Sequence, residues 1–345
     1  MNNMIDKAVI IPGAQKSGTS SLYEALCKSD SVVKPEYKET QFFAMKEEKI
    51  KNNINWYKKK YRSKRAKRCN SYIIDASTFY LDSYKTPEKI RKYIKCPKVL
   101  VVIRNPVARA YSGYQQMKSK TPTPEGRNFL KISKDIEEKC GNANPSIGQL
   151  VKCEKKVLNK SIKKVDINYV NEEYPSDVKK SYTAEYEDPL WIYKYYKAST
   201  YSTSLSRYVD VLNEDNVNVI LFEQLINEPK KVLKSIENFL GMKMENHNLP
   251  TKNKTKVPRN WISRQIAVAK RERNSGLDSF WNILKKYAGE RLPKEIKEKF
   301  FKKRGNITGK RKKVAERLLK SEYEYWFSRA KKYRRYWRQN RYDNK

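Results

Sequence analysis

The sequence predicts an α/β protein in which helices cover both faces of a parallel β-sheet. Three observations carry that expectation. An apolar run from Ala8 to Ile11 ends in a loop, Pro12-Gly13-Ala14-Gln15-Lys16-Ser17-Gly18-Thr19-Ser20. An amphipathic segment with Leu22, Ala25 and Leu26 on one face follows it. A second, β-branched run from Lys98 to Ile103 stops at Arg104-Asn105-Pro106, and Pro106 suits the first turn of a helix. Across this half of the chain, strands and helices alternate at roughly 7–12, 19–28, 71–75, 88–95 and 98–103, the order expected of a parallel sheet.

The first loop suits an anion. A strand, a small-residue loop and a helix N-terminus turn free backbone N–H groups and the positive end of the helix dipole toward one point. The arrangement is P-loop-like, but the residue order is not that of a nucleotide triphosphatase, in which Lys follows the second Gly. Here Lys16 precedes Gly18, so its charge meets the anion from another place. Arg104 falls at the C-terminal edge of its strand, where open α/β sheets bind ligands. Ser112 lies about two turns along the helix expected over 105–118, so both side chains reach one anionic group.

Residues 119–190 change character. They are polar, are broken by Pro122, Pro124, Gly126, Gly141, Pro145, Gly148 and Pro175, and read as a helical insertion with helices near 127–139 and 148–158. An aromatic-rich helix over 190–213, a buried strand over Asn216–Phe222 and an amphipathic helix over 229–240 follow, the last closed by Gly241. From about residue 263 the chain reads as a basic helical extension. Its Trp326, Phe327, Tyr333, Tyr336 and Trp337 interleave with Lys331, Lys332, Arg334, Arg335 and Arg338. Aromatics packed on the body are the expectation, and a basic face that grips a polymer is the alternative. The expected domains are 1–262 and 263–345, the second packed on the first.

Composition narrows the partners. Lys plus Arg number 76 against 38 Asp plus Glu, a net charge of +38. Such an excess attracts anions: a charged polysaccharide, nucleic acid or an anionic membrane. The abundance of Lys, Asn, Ile and Tyr also fits a coding bias with no bearing on partners. The first strand begins too early for a signal peptide, and no stretch approaches the ~20 apolar residues of a membrane helix. A cytoplasmic protein is expected, or a Golgi-lumen one if a preceding anchor has been trimmed. Cys27, Cys69, Cys96, Cys140 and Cys153 form no metal-binding spacing, and Cys140 and Cys153 are expected as thiols unless the compartment is oxidising.

The two motifs in this order resemble the sulfotransferases that use 3′-phosphoadenosine 5′-phosphosulfate (PAPS), and most of all their carbohydrate branch of heparan- and chondroitin-type enzymes and bacterial relatives. Gln15-Lys16-Ser17-Gly18-Thr19-Ser20 matches the family's 5′-phosphosulfate loop, and Arg104 with Ser112 matches its 3′-phosphate pair. Glu39-Thr40-Gln41-Phe42-Phe43 matches the segment that supplies the catalytic base, and Asn55-Trp56-Tyr57 the pair that follows it. Further matches run through Ser199–Leu205, Val217–Leu225, Pro229 and Phe239–Gly241 to Asn253-Lys254-Thr255 and Pro258-Arg259, a late loop over the nucleotide. One departure stands out: in Ile74-Asp75-Ala76-Ser77-Thr78, Ala76 occupies the place of a Lys that assists catalysis in the heparan branch.

The resemblance implies sulfuryl transfer from PAPS, as co-substrate, to an acceptor hydroxyl, with no metal. Lys16 would neutralise the leaving phosphate, and Ser17, Gly18, Thr19 and Ser20 would donate to it. Arg104 and Ser112 would hold the 3′-phosphate, with Arg259 a further candidate. Glu39 would be the general base, walled off by Phe42 and Phe43, with Asp75 or Ser77 on the acceptor side and Asp75 as the alternative base. The insertion at 119–190 would line the acceptor side of the cleft, and the expected acceptor is an anionic carbohydrate, with no specific nucleic-acid partner. The single histidine, His247, reads as a turn residue. Two readings compete: a P-loop-like kinase, and a non-catalytic nucleotide- or polysaccharide-binding protein of the same fold.

Overall fold

The computed structural model describes residues 4–36, 38–61, 71–119, 128–161, 194–250, 256–258, 301–303 and 306–329. Strand β1 (Ile5–Ile10) leads through the first loop into α1 (Thr19–Leu26). Then come β2 (Val32–Val33), a short 3-10 turn over Phe42–Ala44, α2 (Glu47–Lys59), β3 (Tyr72–Asp75), α3 (Thr86–Tyr93) and β4 (Ile94–Ile103). After these, α4 (Pro106–Ser119), α5 (Phe129–Cys140), α6 (Ile147–Ser161) and α7 (Tyr201–Leu212) precede β5 (Val217–Leu221), α8 (Phe222–Asn227) and α9 (Pro229–Leu240). A small antiparallel pair, β6 (Lys256–Pro258) and β7 (Phe301–Lys303), and helices α10 (Gly309–Leu318) and α11 (Lys320–Arg329) complete the described elements.

The five main strands form one parallel sheet in the order β2-β3-β1-β4-β5. Strand side chains alternate between faces, and the sequence uses the alternation to fill two cores. Ala8 and Ile10 of β1 join Val99, Val101 and Ile103 of β4 on one face, under Phe42, Phe43, Tyr57, Tyr208 and Trp326. Val9 and Ile11 join Leu100 and Val102 on the other, under Leu22 and Leu26 of α1 and Leu233 and Ile236 of α9. A third cluster ties α4, α5 and α6 to α10 through Tyr114, Phe129, Ile132, Leu150, Val314 and Leu318.

The structure adjusts several expected boundaries. Helix α3 ends at Tyr93, and Ile94 already pairs with Ile5, so β4 starts four residues before Lys98. Pro97 accounts for this, because the residue before a proline is pushed to extended backbone. Within the expected 190–213 helix, residues 194–200 are irregular with a 3-10 turn at Lys197–Ser199, and α7 begins only at Tyr201. Its start is set from the far end of the chain. The buried Glu322 carboxylate accepts from the Tyr201 and Ser202 amides (2.8 and 3.1 Å), the Ser202 hydroxyl (2.6 Å) and Trp326 Nε1 (2.5 Å). Helices α2 and α8 were not expected. The α2 stripe of Ile50, Ile54 and Tyr57 is too sparse in a Lys- and Asn-rich segment to stand out, and α8 spans only six residues.

On α11, Trp326 is buried and Tyr323, Tyr325 and Phe327 pack against the first core. Tyr333, Tyr336, Trp337 and their basic neighbours lie outside the described residues. Cys140 and Cys153 are free thiols in contact, and burial pushes the Cys140 thiol up to about 12. No helix among the described residues is long and apolar enough to cross a membrane.

Candidate active site

The first loop leaves β1 pinned to the sheet. Ala14 N–H donates to the Val102 carbonyl (2.6 Å), Val102 N–H to the Gly13 carbonyl (2.8 Å), and Leu81 N–H to the Pro12 carbonyl (2.9 Å). Beyond that anchor, Lys16 (φ +70°) and Gly18 (φ +82°) turn through left-handed backbone. For Lys16 this conformation is uncommon, and such residues cluster where function over-determines the backbone. For Gly18 it is compulsory: a Cβ there would come within 2.8 Å of the Phe222 ring. Thr19 and Ser20 open α1, whose first amides have no intrahelical acceptor.

Two guanidinium groups brace the loop from outside. Arg104 Nη1 donates to the Lys16 carbonyl (3.1 Å) while its plane lies over Phe222, 4.7 Å from the ring centre. Arg109, buried one turn further on, donates through Nε to the Gln15 carbonyl (3.0 Å) and through Nη1 to the Tyr195 carbonyl (3.1 Å). Phe222 therefore sits between Gly18 and Arg104 and sets their separation. Ser112 is half-buried on α4, two turns from Arg104. Arg259 lies outside the described residues.

Lys38 links the Glu39 loop to this arrangement. Lys38 Nζ donates to Ser20 Oγ at the start of α1 (3.0 Å) and to Glu39 Oε1 (3.1 Å). Glu39 Oε2 accepts from Thr78 Oγ1 (3.3 Å) and Gln41 Nε2 (3.5 Å). Glu39 (φ +65°) and Gln41 (φ +54°) are both left-handed, so the loop is folded back on itself. The Glu39 side chain stays 32% exposed. Phe42 and Phe43 do not wall it off as expected: they are wholly buried, packed on Tyr57 with ring centres 4.4 and 5.3 Å away. Each has a short apolar path to the core because the 3-10 turn points them inward.

Asp75 lies at the end of β3 with no exposed surface. Four hydroxyls donate to it: Thr40 (2.6 Å), Ser77 (2.6 Å), Tyr57 (2.9 Å) and Tyr80 (2.8 Å). Burial pushes its carboxyl above the ordinary value against the pull of those hydrogen bonds. Its donors also hold the next residues, since Ser77 Oγ accepts from the Gln41 amide (2.9 Å) and Tyr80 OH from the Phe43 amide (3.0 Å). The structure thus sets Asp75 beneath the Glu39 loop rather than on the surface an acceptor would meet. Ala76, the departure in the sequence, packs its methyl into the second core. His247 pairs with Glu237 of α9 (2.5 Å) and takes no part in these contacts.

One buried atom is suited to an anion: Ser17 Oγ, which can donate, has no hydrogen-bond partner among the described residues, and a buried polar atom rarely stays so without a reason. Ser17 is the centre of the loop, between the two left-handed residues.

A family model described as a sulfotransferase domain matches residues 6–275. The chain belongs to the sulfotransferase family. Among its relatives, the membrane-associated sulfotransferase kil1 of Dictyostelium discoideum is 23% identical over 265 residues, 68% of this chain and 55% of that protein. The mouse heparan sulfate glucosamine 3-O-sulfotransferase 5 is 34% identical over 113 residues, 33% of this chain and 31% of that protein. The chain thus spans about half the length of the first relative and about a third of the second. Among solved structures, a sulfotransferase from Alicyclobacillus acidocaldarius aligns with a TM-score of 0.45 at 23% identity, covering 77% of this chain and 94% of that one.

Arg109, Phe222, Lys38 and Thr78 went unread in the sequence as site residues. Arg109 stood inside the Arg104–Ser112 segment, one turn after Arg104, and Lys38 directly before Glu39, so their positions carried a signal. Phe222 and Thr78 carried none, because their roles come from contacts with residues far away in the chain.

Proposed function

We propose that this sulfotransferase moves the sulfuryl group of PAPS to a hydroxyl of a carbohydrate acceptor by in-line displacement. The observation that carries the reading is the Lys38 bridge, which brings the Glu39 carboxylate within one side chain of Ser20 in the donor loop. The acceptor oxygen forms its bond to sulfur as the bond from sulfur to the 5′-phosphate oxygen breaks. Glu39 takes the acceptor proton, and adenosine 3′,5′-bisphosphate leaves with the electron pair.

The residues present suit each part. Ser17 Oγ and the first amides of α1 offer donors to the 5′-phosphate, and Gly18 lets its backbone come close. Lys16 supplies charge where negative charge develops. Arg104, held flat on Phe222, presents the fork that matches a 3′-phosphate, with Ser112 and Arg259 as partners. Asp75 acts through the hydroxyls of Thr40 and Ser77, and it positions Glu39 without receiving the proton. The name of the mouse relative, a heparan sulfate enzyme, and the net charge of +38 support an anionic carbohydrate as acceptor and O-sulfation as the outcome.

The test is a screen of desulfated and partly sulfated glycans with labelled PAPS. Label transferred to a glycan hydroxyl, and lost with Glu39→Gln, is the expected result. PAPS binding with no transfer across neutral and anionic glycans, phenols and tyrosyl peptides would overturn it.

A further inference from the structure

The family match ends at residue 275, yet the residues that flank Arg104 are fastened to a helix beyond it. Tyr323 of α11 donates its hydroxyl to Asn105 Oδ1 (2.8 Å) and accepts from the backbone of Val107. Asn105 is the hinge between β4 and α4: its Oδ1 takes the Ala108 amide (3.0 Å) and its carbonyl the Arg109 amide (2.9 Å). On the other side, the Asn105 amide donates to buried Glu223 (2.9 Å), the neighbour of the Phe222 ring that carries Arg104. Glu322, the residue before Tyr323, grips the amides of Tyr201 and Ser202, and the wholly buried Tyr201 lies against the Arg104 backbone. Both walls of the Arg104 turn thus end on adjacent residues of α11.

We propose that α11 is a positioning element of the donor site: Tyr323 and Glu322 fix where Arg104 meets the 3′-phosphate. This rests on the reading of Arg104 given above. The helix contributes nothing to the ligand directly. It sets the angle at which β4 becomes α4, and so the direction of the Arg104 side chain, which rewards a 3′-phosphate over a free hydroxyl. A packing role alone would tie α11 to stability. A positioning role ties it to discrimination between adenosine 3′,5′-bisphosphate and AMP.

Calorimetry on the full chain separates the two. Wild type should bind the bisphosphate far better than AMP. Tyr323→Phe keeps the ring and removes one hydroxyl, and should lower bisphosphate affinity about three- to tenfold with AMP affinity unchanged. Leu318→Ala, which loosens α10 in the third cluster, should lower the melting temperature and leave the affinity ratio as it was. A second measurement needs no variant. By linkage, whatever α11 does for the bisphosphate the bisphosphate does for α11, so amide exchange in 320–329 should slow with the bisphosphate and not with AMP. A wild type with equal affinity for both nucleotides would sink the reading of Arg104 itself. A discriminating wild type with an unchanged ratio in Tyr323→Phe, equal exchange with both nucleotides, or a ratio that falls in Leu318→Ala in step with stability would each overturn the role given to α11.

Discussion

The two halves of the site are held by different means. On the donor side, backbone carries the geometry: strands β1 and β4 pin the loop, and two guanidinium groups hold the successive carbonyls of Gln15 and Lys16. On the base side, side chains carry it: a wholly buried carboxylate, Asp75, gathers four hydroxyls, and two of these belong to or hold Thr40 and Gln41, the two residues that follow Glu39. A backbone-built half tolerates replacement of most side chains along it, but not a change in the few that set its spacing. A hydroxyl-built half depends on every partner, because each lost donor leaves buried oxygen unpaired. On the proposed reading the donor half serves mainly binding and the base half mainly chemistry, and substitutions should split along that line.

The largest split is expected at Glu39. Glu39→Gln keeps the shape and the Thr78 contact, and should lower turnover by about 10²–10⁴ with nucleotide affinity nearly intact. Its counterpart on the donor side, Arg104→Ala, should do the reverse and weaken bisphosphate binding by roughly 10- to 150-fold. Lys16→Ala should fall between them, with turnover lower by about 10²–10³ and some loss of binding. Kinetics with a confirmed acceptor, paired with calorimetry, reads both axes. Full activity in Glu39→Gln would move the base elsewhere and erase the distinction.

A smaller effect sharpens what holds the donor half. Gly18→Ala puts a methyl against Phe222 in a backbone conformation that costs a non-glycine residue about 1–2 kcal/mol. Phe222 must give way, and Arg104 with it. Bisphosphate affinity should fall about five- to thirtyfold, while Phe222→Ala in the same background relieves the contact without restoring Arg104. Restored affinity in that double variant would show that Phe222 is not the support of the guanidinium.

The same division explains what the sequence disclosed. The sheet was legible because β1 ends in the apolar run Ala8–Ile11 and β4 in Val99–Ile103, each filling both faces, and the donor half because Lys16 to Ser20 and Arg104 to Ser112 are contiguous. The base half was legible only at Glu39 itself. Thr40 and Tyr57 lie 35 and 18 residues from Asp75, so no local pattern announces that they share one carboxylate. Asp75 therefore read as a free acid beside an acceptor, when its chemistry is spent on hydroxyls within the core. The start of α7 at Tyr201 was hidden for the same reason, since its capping carboxylate, Glu322, arrives from about 120 residues away.

Asp75→Asn tests the hydroxyl-built half directly. An amide offers one acceptor oxygen and two hydrogens, so hydroxyls that now donate must turn away. Stability should drop by about 1–3 kcal/mol and turnover should fall with it, with bisphosphate affinity little changed. The raised pKa of Asp75 also fixes a sign. The folded state holds its proton to higher pH than the unfolded chain, so this residue's contribution to stability is greatest below the ordinary Asp value and is lost as pH rises through the folded one. In the difference between wild type and Asp75→Asn, measured by denaturant unfolding, stability should decline with pH over that range. A rise would show that the four hydrogen bonds outweigh burial.

The smallest expected effect on nucleotide affinity lies on the donor side, behind Arg109. Tyr195, whose carbonyl Arg109 holds, is followed by the Tyr196 and Lys197 amides, which donate to buried Glu154 (2.8 and 2.7 Å). Burial pushes the Glu154 carboxyl up to about 7, and burial lowers nearby Lys194 to about 8. The two shifts act in opposite directions. Between the ordinary Glu value and about pH 7 the folded state holds more protons at Glu154 than the unfolded chain, so stability falls as pH rises. Between about pH 8 and the ordinary Lys value the unfolded chain holds more at Lys194, so stability rises again. The pair should therefore cut a trough into the stability profile between about pH 7 and 8, where both groups are charged inside the fold. Each limb has a slope of at most about 1.4 kcal/mol per pH unit, one proton's worth. Thermal melts of wild type and of the Glu154→Gln, Lys194→Met double variant, taken from pH 4.5 to 10, isolate it by subtraction. Because, among the described residues, Glu154 meets the loop through Arg109 and a backbone carbonyl, bisphosphate affinity should change less than threefold across the same range. A peak in place of the trough would mean that the mutual attraction of Glu154 and Lys194 exceeds the cost of burying them. An affinity that followed the trough would mean that the donor half also leans on side chains, and the contrast between the two halves would fail.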